Sequence, residues 1–303
     1  MSRSMGTQER LTMIDAAVSV AALETNEAQE RMGELLVQSG KMTDLQLEKV
    51  IRHQQEHGGK LGEVALALGF VSTQDIAQVL GRQFEFSFVA PDQTSISPRL
   101  HMAFNLPSDE QETIKALRSQ IQVSWLLKGQ RSLLVTGVDG DDEPAMVAAN
   151  LAIAFSQSGK RTLLVDANMR SSLLHEALGV PHGEGLADLL AGRCRLASVV
   201  HAVPPLQLLS FLGCGTQVLN PQELLARDTL PSCVREMERD YDVIIFTTPT
   251  RADFADAQIL STAVPGALLL VRQDVSRIDD IRVALARFAT TQARVLGCVY
   301  LDA

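Results

Sequence analysis

The sequence predicts an α/β protein: a doubly wound, mostly parallel sheet preceded by a small all-α N-terminal domain. Three observations predict it. First, the stretch from Leu133 to Arg170 opens with the apolar run Leu133-Leu134-Val135. A Gly-, Asp- and Pro-containing loop follows, then a helical pattern over about 145–158 with Val147, Leu151, Ala154 and Phe155 on one face. A second apolar run, Leu163-Leu164-Val165, ends at Asp166. Short continuous apolar runs on either side of a helix are the pattern of parallel strands covered on both faces. Second, such runs go on alternating with helical stretches to the end of the chain. Third, the region before residue 90 repeats with a period of 29 and reads as helices throughout.

Taken in order, residues 1–28 are polar and Ala-rich and read as a flexible leader. Residues 29–90 hold the repeat. Arg31-Met32-Gly33-Glu34 returns as Lys60-Leu61-Gly62-Glu63, Gly40 as Gly69, Thr43 as Ser72, Leu47 as Ile76 and Gln54 as Gln83. Each unit is a short helix, a glycine stop, a Thr or Ser N-cap and a longer helix. Residues 91–107 carry Pro91, Pro98 and Pro107 and read as a linker, with a short strand at 86–89 on its N-terminal side. The second domain, 108–303, opens with a Ser108-capped helix to Leu127. Its further strands fall at 206–210, 243–246, 267–271 and 295–300. Its further helices fall at 171–178, 184–191, 221–227, 229–239, 256–263 and 278–290.

Composition narrows the function. The chain has 303 residues, enough for two domains, and 46% are apolar. A net charge of −9 argues against nucleic acid or an anionic membrane surface as partner. No apolar run reaches the 18 or so residues of a membrane span, and no secretion signal is visible, so a cytoplasmic protein is expected. The four cysteines and six histidines show no metal-ligand spacing.

In a βαβ unit the loop after the first strand lies at a helix N-terminus, where phosphate binds. A phosphate-binding loop needs glycine N–H groups, a lysine and a Ser/Thr hydroxyl. Here the loop runs Gly137-Val138-Asp139-Gly140-Asp141-Asp142-Glu143-Pro144-Ala145-Met146. Pro144 and Ala145 stand where lysine and hydroxyl are needed, and Asp139, Asp141, Asp142 and Glu143 put four carboxylates into five residues. Each would repel a triphosphate by roughly 1 to 4 kcal/mol at a few ångströms. Yet carboxylates and proline suit the start of a helix, and one of the carboxylates can accept from its free N–H groups.

Several stretches of the second domain carry a resemblance: VAANLAIAFSQSGKRTLLVDANMR, EGLADLLAG at 184–192, NPQELL at 220–225, YDVIIFTTP at 241–249 and ADAQIL at 255–260. They resemble the bacterial tyrosine kinases, within the MinD/ParA-like P-loop ATPases. With the N-terminal repeat, nearly the whole chain is similar to the chain-length-determinant tyrosine kinases of exopolysaccharide clusters, the EpsG type. The repeat is itself similar to the N-terminal domain of type II secretion and pilus ATPases. The departures fall on the catalytic motifs. Glu143-Pro144-Ala145-Met146 replaces the family's Gly-Lys-Ser/Thr-Thr. In the Asp-Ala-Asp-x-Arg motif, Asp166 and Arg170 remain but the second Asp is Asn168. The strand that ends Asp-Thr-Pro in the family ends Thr247-Thr248-Pro249 here. Lysine, hydroxyl and two of three acids are missing together from chemistry that relies on a lysine clamp and Mg²⁺. The family's autophosphorylated tail is Tyr-rich, whereas this sequence has only Tyr241 and Tyr300, both in predicted strands, and no acceptor cluster is expected.

What the resemblance implies is therefore a pseudokinase, a regulatory or scaffolding protein of exopolysaccharide biosynthesis and export that acts by protein binding. No catalytic residue and no cofactor are expected, and ATP·Mg is not expected to bind. Partners implied are a membrane polysaccharide co-polymerase or an active kinase paralogue, which would recruit the chain to the inner membrane, together with homo- or hetero-oligomers. Glu112, Lys115 and Arg118 resemble the family's Glu-x-x-Arg-x-x-Arg oligomerisation motif; a solvated charged stripe is the other reading of that spacing. One rival function is an active tyrosine autokinase controlling chain length. Another is a cyclic di-GMP receptor relaying to the polysaccharide machinery, because some domains like the repeat bind that dinucleotide. The positions concerned would be Arg31, Gly33, Gly40, Gln54, Lys60, Gly62, Gly69 and Gln83, with a docking module or plain packing repeat as the alternatives.

Overall fold

The computed structural model describes residues 26–72, 75–76, 89, 94–104, 107–171, 173–204, 206–249, 254–291 and 293–302; the side chains of 26–31 lie outside the description. The chain divides into two compact units, 1–86 and 87–303. Among the described residues no helix is long and apolar enough to cross a membrane.

In the first unit α1 spans Asn26–Gln38, α2 Asp44–His57 and α3 Leu61–Ala67. The period of 29 is visible as paired physical devices. Thr43 caps α2 with a capping box: its hydroxyl accepts from the Gln46 N–H at 3.3 Å and its own N–H donates to Gln46 Oε1 at 2.9 Å. Ser72 and Asp75, 29 residues on, repeat the box at 3.1 and 2.9 Å. The glycines match too. A Cβ on Gly33 would meet Leu47 at 2.8 Å and Leu61 at 3.5 Å; one on Gly62 would meet Met32 at 3.0 Å and Ile76 at 3.7 Å. Leu47 and Ile76 are equivalent positions, as are Met32 and Leu61. The two repeats thus meet through equivalent positions over a small core of Met32, Leu36, Met42, Val50, Leu61, Val64, Ala65 and Val71.

The second unit is built on a seven-stranded sheet. Its elements are α4 (Asp109–Ser124), β1 (Ser132–Gly137), α5 (Glu143–Gln157), β2 (Thr162–Asp166), α6 (Leu173–Leu178), α7 (Leu186–Leu190), α8 (Leu196–Val199) and β3 (Val200–Val203), followed by β4 (Leu206–Leu212), α9 (Pro221–Leu225), α10 (Thr229–Asp240), β5 (Val243–Thr247), α11 (Ala255–Leu260), β6 (Gly266–Arg272), α12 (Ile278–Thr290) and β7 (Arg294–Leu301). The strand order is β3-β4-β2-β5-β1-β6-β7. All pairings are parallel except β3 with β4. Strands β1, β2 and β5 are buried over their whole length because helices cover both faces, as their unbroken apolar runs require. Helix α5 lies in the core on one face, with Leu151, Ile153 and Phe155 fully buried.

Two expectations change. The antiparallel edge strand β3 was not anticipated; its sequence Val-His-Ala-Val is short and only Val203 is buried. The stretch 91–107, read as a linker, instead packs on the sheet unit wherever it is described. Ile96, Leu100, Met102, Ala103 and Phe104 enter the core beside α5, and Val89 bridges in parallel to Phe104. Three buried amides hold it there. Asn150 Oδ1 accepts from the Met102 N–H and its Nδ2 donates to the Arg99 carbonyl, both at 3.0 Å. Gln157 donates to the Met102 carbonyl at 2.7 Å, and Gln111 to those of His101 and Phe104. The prolines break periodicity here without removing burial. Other residues of the expected leader, strand and linker lie outside the described residues.

Candidate functional site

A cavity of about 220 Å³ opens at the C-terminal ends of β1, β2 and β5, where ligands bind in open α/β sheets. Gly140, Asp141, Asp142, Pro144, Ala145, Asp166, Asn168, Arg170, Thr247 and Thr248 line it. The fold therefore gathers the three stretches singled out in the sequence around one space. The β1–α5 loop forms the mouth, the end of β2 the floor, and the end of β5 the far wall.

The loop is not a ring of bare carboxylates. Asp139 accepts from the Ser276 hydroxyl at 2.6 Å. Asp141 takes the Arg272 guanidinium at 2.8 Å, and Glu143 takes that of Arg99 at 2.7 Å. Three of the four acids expected to repel an incoming anion are thus partnered within the chain. The exposure of these pairs limits each to about 1 kcal/mol, so their weight is in placing the loop. The capping carboxylate is Asp141, whose Oδ1 accepts from the Glu143 N–H at 3.3 Å. Asp142 is the N-cap but makes no side-chain cap bond. Pro144, buried in the first turn, has no N–H to offer. Gly137 ends β1, and Gly140 is exposed with open space where a Cβ would sit.

Asp166 is 2% exposed and accepts from the Asn168 N–H at 2.9 Å. Burial pushes its carboxyl up to about 7, against that one hydrogen bond. Asn168 Oδ1 accepts from the Arg170 N–H at 3.3 Å. The Arg170 guanidinium pairs with the buried Asp256 of α11. Thr247 carries a buried hydroxyl with no hydrogen-bond partner among the described residues, whereas Thr248 donates to the Thr136 hydroxyl at 3.0 Å. Among the described residues no cluster of His, Cys, Asp and Glu is placed to hold a metal ion.

The other candidate residues lie elsewhere. On α4, Lys115 pairs with Glu112 at 2.6 Å on the surface. Arg118 instead reaches the Ala154 carbonyl of α5 at 3.4 Å, and burial lowers the pKa of its guanidinium. In the first unit Gly33 and Gly62 are packing contacts, and Gly40 and Gly69 take positive φ, 69° and 68°, at helix ends. Gln54 donates to the Gly59 carbonyl at 2.9 Å, and Lys60 is the N-cap residue of α3. The Arg31 side chain and Gln83 lie outside the described residues. Arg99, Arg272, Ser276 and Asp256 were not foreseen. Only Arg272 gave a signal, as a cation closing an apolar strand at the level of the loop.

Comparison with known proteins places this geometry. Residues 130–289 match the family model described as cellulose biosynthesis protein BcsQ. The tyrosine-protein kinase wzc of Salmonella typhi is 30% identical over 190 residues, 62% of this chain and 26% of that protein. The chain spans 26% to 33% of the length of the first curated relatives it matches. The BceF tyrosine kinase domain is 29% identical with a TM-score of 0.56, over 63% of this chain and 76% of that one. The kinase domain of the Escherichia coli tyrosine kinase ETK superposes with a TM-score of 0.65 over 71% of this chain and 84% of that one; at 24% identity this likeness speaks to the fold alone.

Proposed function

The chain belongs to the BcsQ cellulose biosynthesis family, and from that premise we propose that it is a pseudokinase, a regulatory or scaffolding protein of exopolysaccharide assembly that works by binding other proteins. One observation carries the reading: the place of the phosphate is taken by the chain's own anions. Asp141 accepts from the helix start and is held in turn by Arg272, while Pro144 and Ala145 occupy the lysine and hydroxyl positions. A phosphoryl group entering here finds carboxylates, no lysine and an N-terminal turn already capped. Thr247 in place of the acid at the end of β5 takes away a further group on which transfer would depend.

In this reading the partner is a membrane polysaccharide co-polymerase or an active kinase, and the α4 face with Glu112 and Lys115 belongs to an oligomer contact. The first unit serves as a docking module. Its glycines Gly33 and Gly62 answer to helix packing rather than to a bound dinucleotide. Purified full-length protein incubated with radiolabelled ATP and Mg²⁺ is expected to incorporate no label at Tyr241 or Tyr300 and to release no phosphate. Label transfer that disappears in Asp166→Ala would overturn the reading in favour of an active autokinase.

A further inference from the structure

The acids around the cavity are unequally supplied with partners. Asp139, Asp141 and Glu143 are held by Ser276, Arg272 and Arg99. Arg170, the one cation among the described lining residues, is paired with Asp256. Two acids remain. Asp142 stands exposed at the mouth and makes no side-chain cap bond to the helix it precedes. Asp166 lies at the floor, where its one described hydrogen bond comes from the Asn168 N–H. Thr247, on the wall, keeps a buried hydroxyl without a partner among the described residues. A related fold that uses this place for phosphate needs donors and positive charge. This chain presents acceptors and negative charge.

We propose that the cavity receives a guanidinium-bearing side chain from a partner protein. The proposal rests on the pseudokinase reading and names the chemistry of its binding site. At about 220 Å³ the space is smaller than the roughly 300 Å³ at which ordinary small-molecule pockets begin, which suits one side chain better than a nucleotide. A guanidinium offers five N–H donors and no acceptor, matching a carboxylate floor, a carboxylate rim and a hydroxyl acceptor. It is also less strongly hydrated than an ammonium and so enters a half-enclosed site at lower cost. Each acid already satisfied by a cation at the β1–α5 loop is satisfied by an arginine, and the incoming group would extend that pattern to the remaining two. Burial raises the Asp166 carboxyl to about 7, so near neutrality it is divided between its two forms, and a neighbouring guanidinium would favour the carboxylate.

The test is an NMR titration of the full chain, reading the amides of Ala145, Asn168 and Thr248. N-acetyl-arginine amide is the probe and N-acetyl-citrulline amide its neutral isostere. Inorganic phosphate and ATP·Mg²⁺ are the anionic arms. Saturable shifts with the arginine probe alone are expected, weakened at least about tenfold in the double variant Asp142→Asn/Asp166→Asn. The titration is repeated in Arg251→Ala, because that arginine follows Pro249 closely in sequence and lies outside the described residues. Silence towards the arginine probe, equal shifts with citrulline, or shifts seen only in Arg251→Ala would each overturn the proposal. The last of these would mean that the chain fills the cavity itself. Silence towards both arginine and ATP removes this inference and leaves the pseudokinase reading standing, whereas saturation by ATP removes both.

Discussion

Replacing Asp166 by Asn is expected to stabilise the sheet unit at pH 8 and to leave it nearly unchanged at pH 4. The carboxyl sits 2% exposed at the end of β2, and burial raises it from its ordinary 3.8 to about 7. Between those two pH values the folded chain holds a proton that the unfolded chain has lost. Stability therefore falls as pH rises through this window, and the full penalty is present above about 7. Its ceiling is roughly 4 kcal/mol. Asparagine is neutral throughout and its amide oxygen still accepts from the Asn168 N–H, so the variant escapes the penalty. Urea denaturation of both proteins at pH 4, 6 and 8 measures it: the two stability curves should meet at acid pH and diverge upward. Curves that stay parallel across the range would mean that Asp166 already has a compensating partner in the folded protein.

The second large effect is expected at Asn150, in the middle of α5. Its side chain accepts from the Met102 N–H and donates to the carbonyls of Arg99 and Met146, each at 3.0 Å. Asn150→Leu fills similar volume but leaves the Met102 N–H and the Arg99 carbonyl without their partner. At about 1–3 kcal/mol for each of the two groups left unsatisfied, the loss should be about 2–6 kcal/mol. The consequence reaches the site, because the segment released carries Arg99, the partner of Glu143. Hydrogen exchange at the Met102 amide should rise in step with the loss of global stability. A variant within about 0.5 kcal/mol of wild type, with Met102 still protected, would show that the segment is held by its apolar contacts alone.

These two residues also show how far the sequence could be read. Asp166 was legible because it ends an apolar strand in a βαβ pattern, which fixes it at the C-terminal edge of the sheet. The same logic located the loop at 137–146 and the end of β5 at Thr247. Asn150 was not legible, since one polar residue on a helix reads as solvent-facing until the segment it fastens is known. That segment misled for a related reason. Pro91 and Pro98 erase helical and strand periods, yet Ile96, Leu100, Met102 and Phe104 still find the core. Arg272 shows in the sequence only as a cation closing a strand; which acid it or Ser276 holds was beyond reach, because each lies more than 130 residues from its partner. Without them the acidic loop read as raw repulsion. With them it is a partly neutralised loop at the start of α5.

A titration with ATP·Mg²⁺ followed by calorimetry and thermal unfolding decides whether this place takes a nucleotide. Wild type and Pro144→Lys should both give no binding heat and no rise in melting temperature, since a ligand that does not bind cannot stabilise by mass action and one lysine does not remove the carboxylates. A saturable heat with a matching rise in melting temperature for the wild type would contradict the account and make the protein a nucleotide-binding switch.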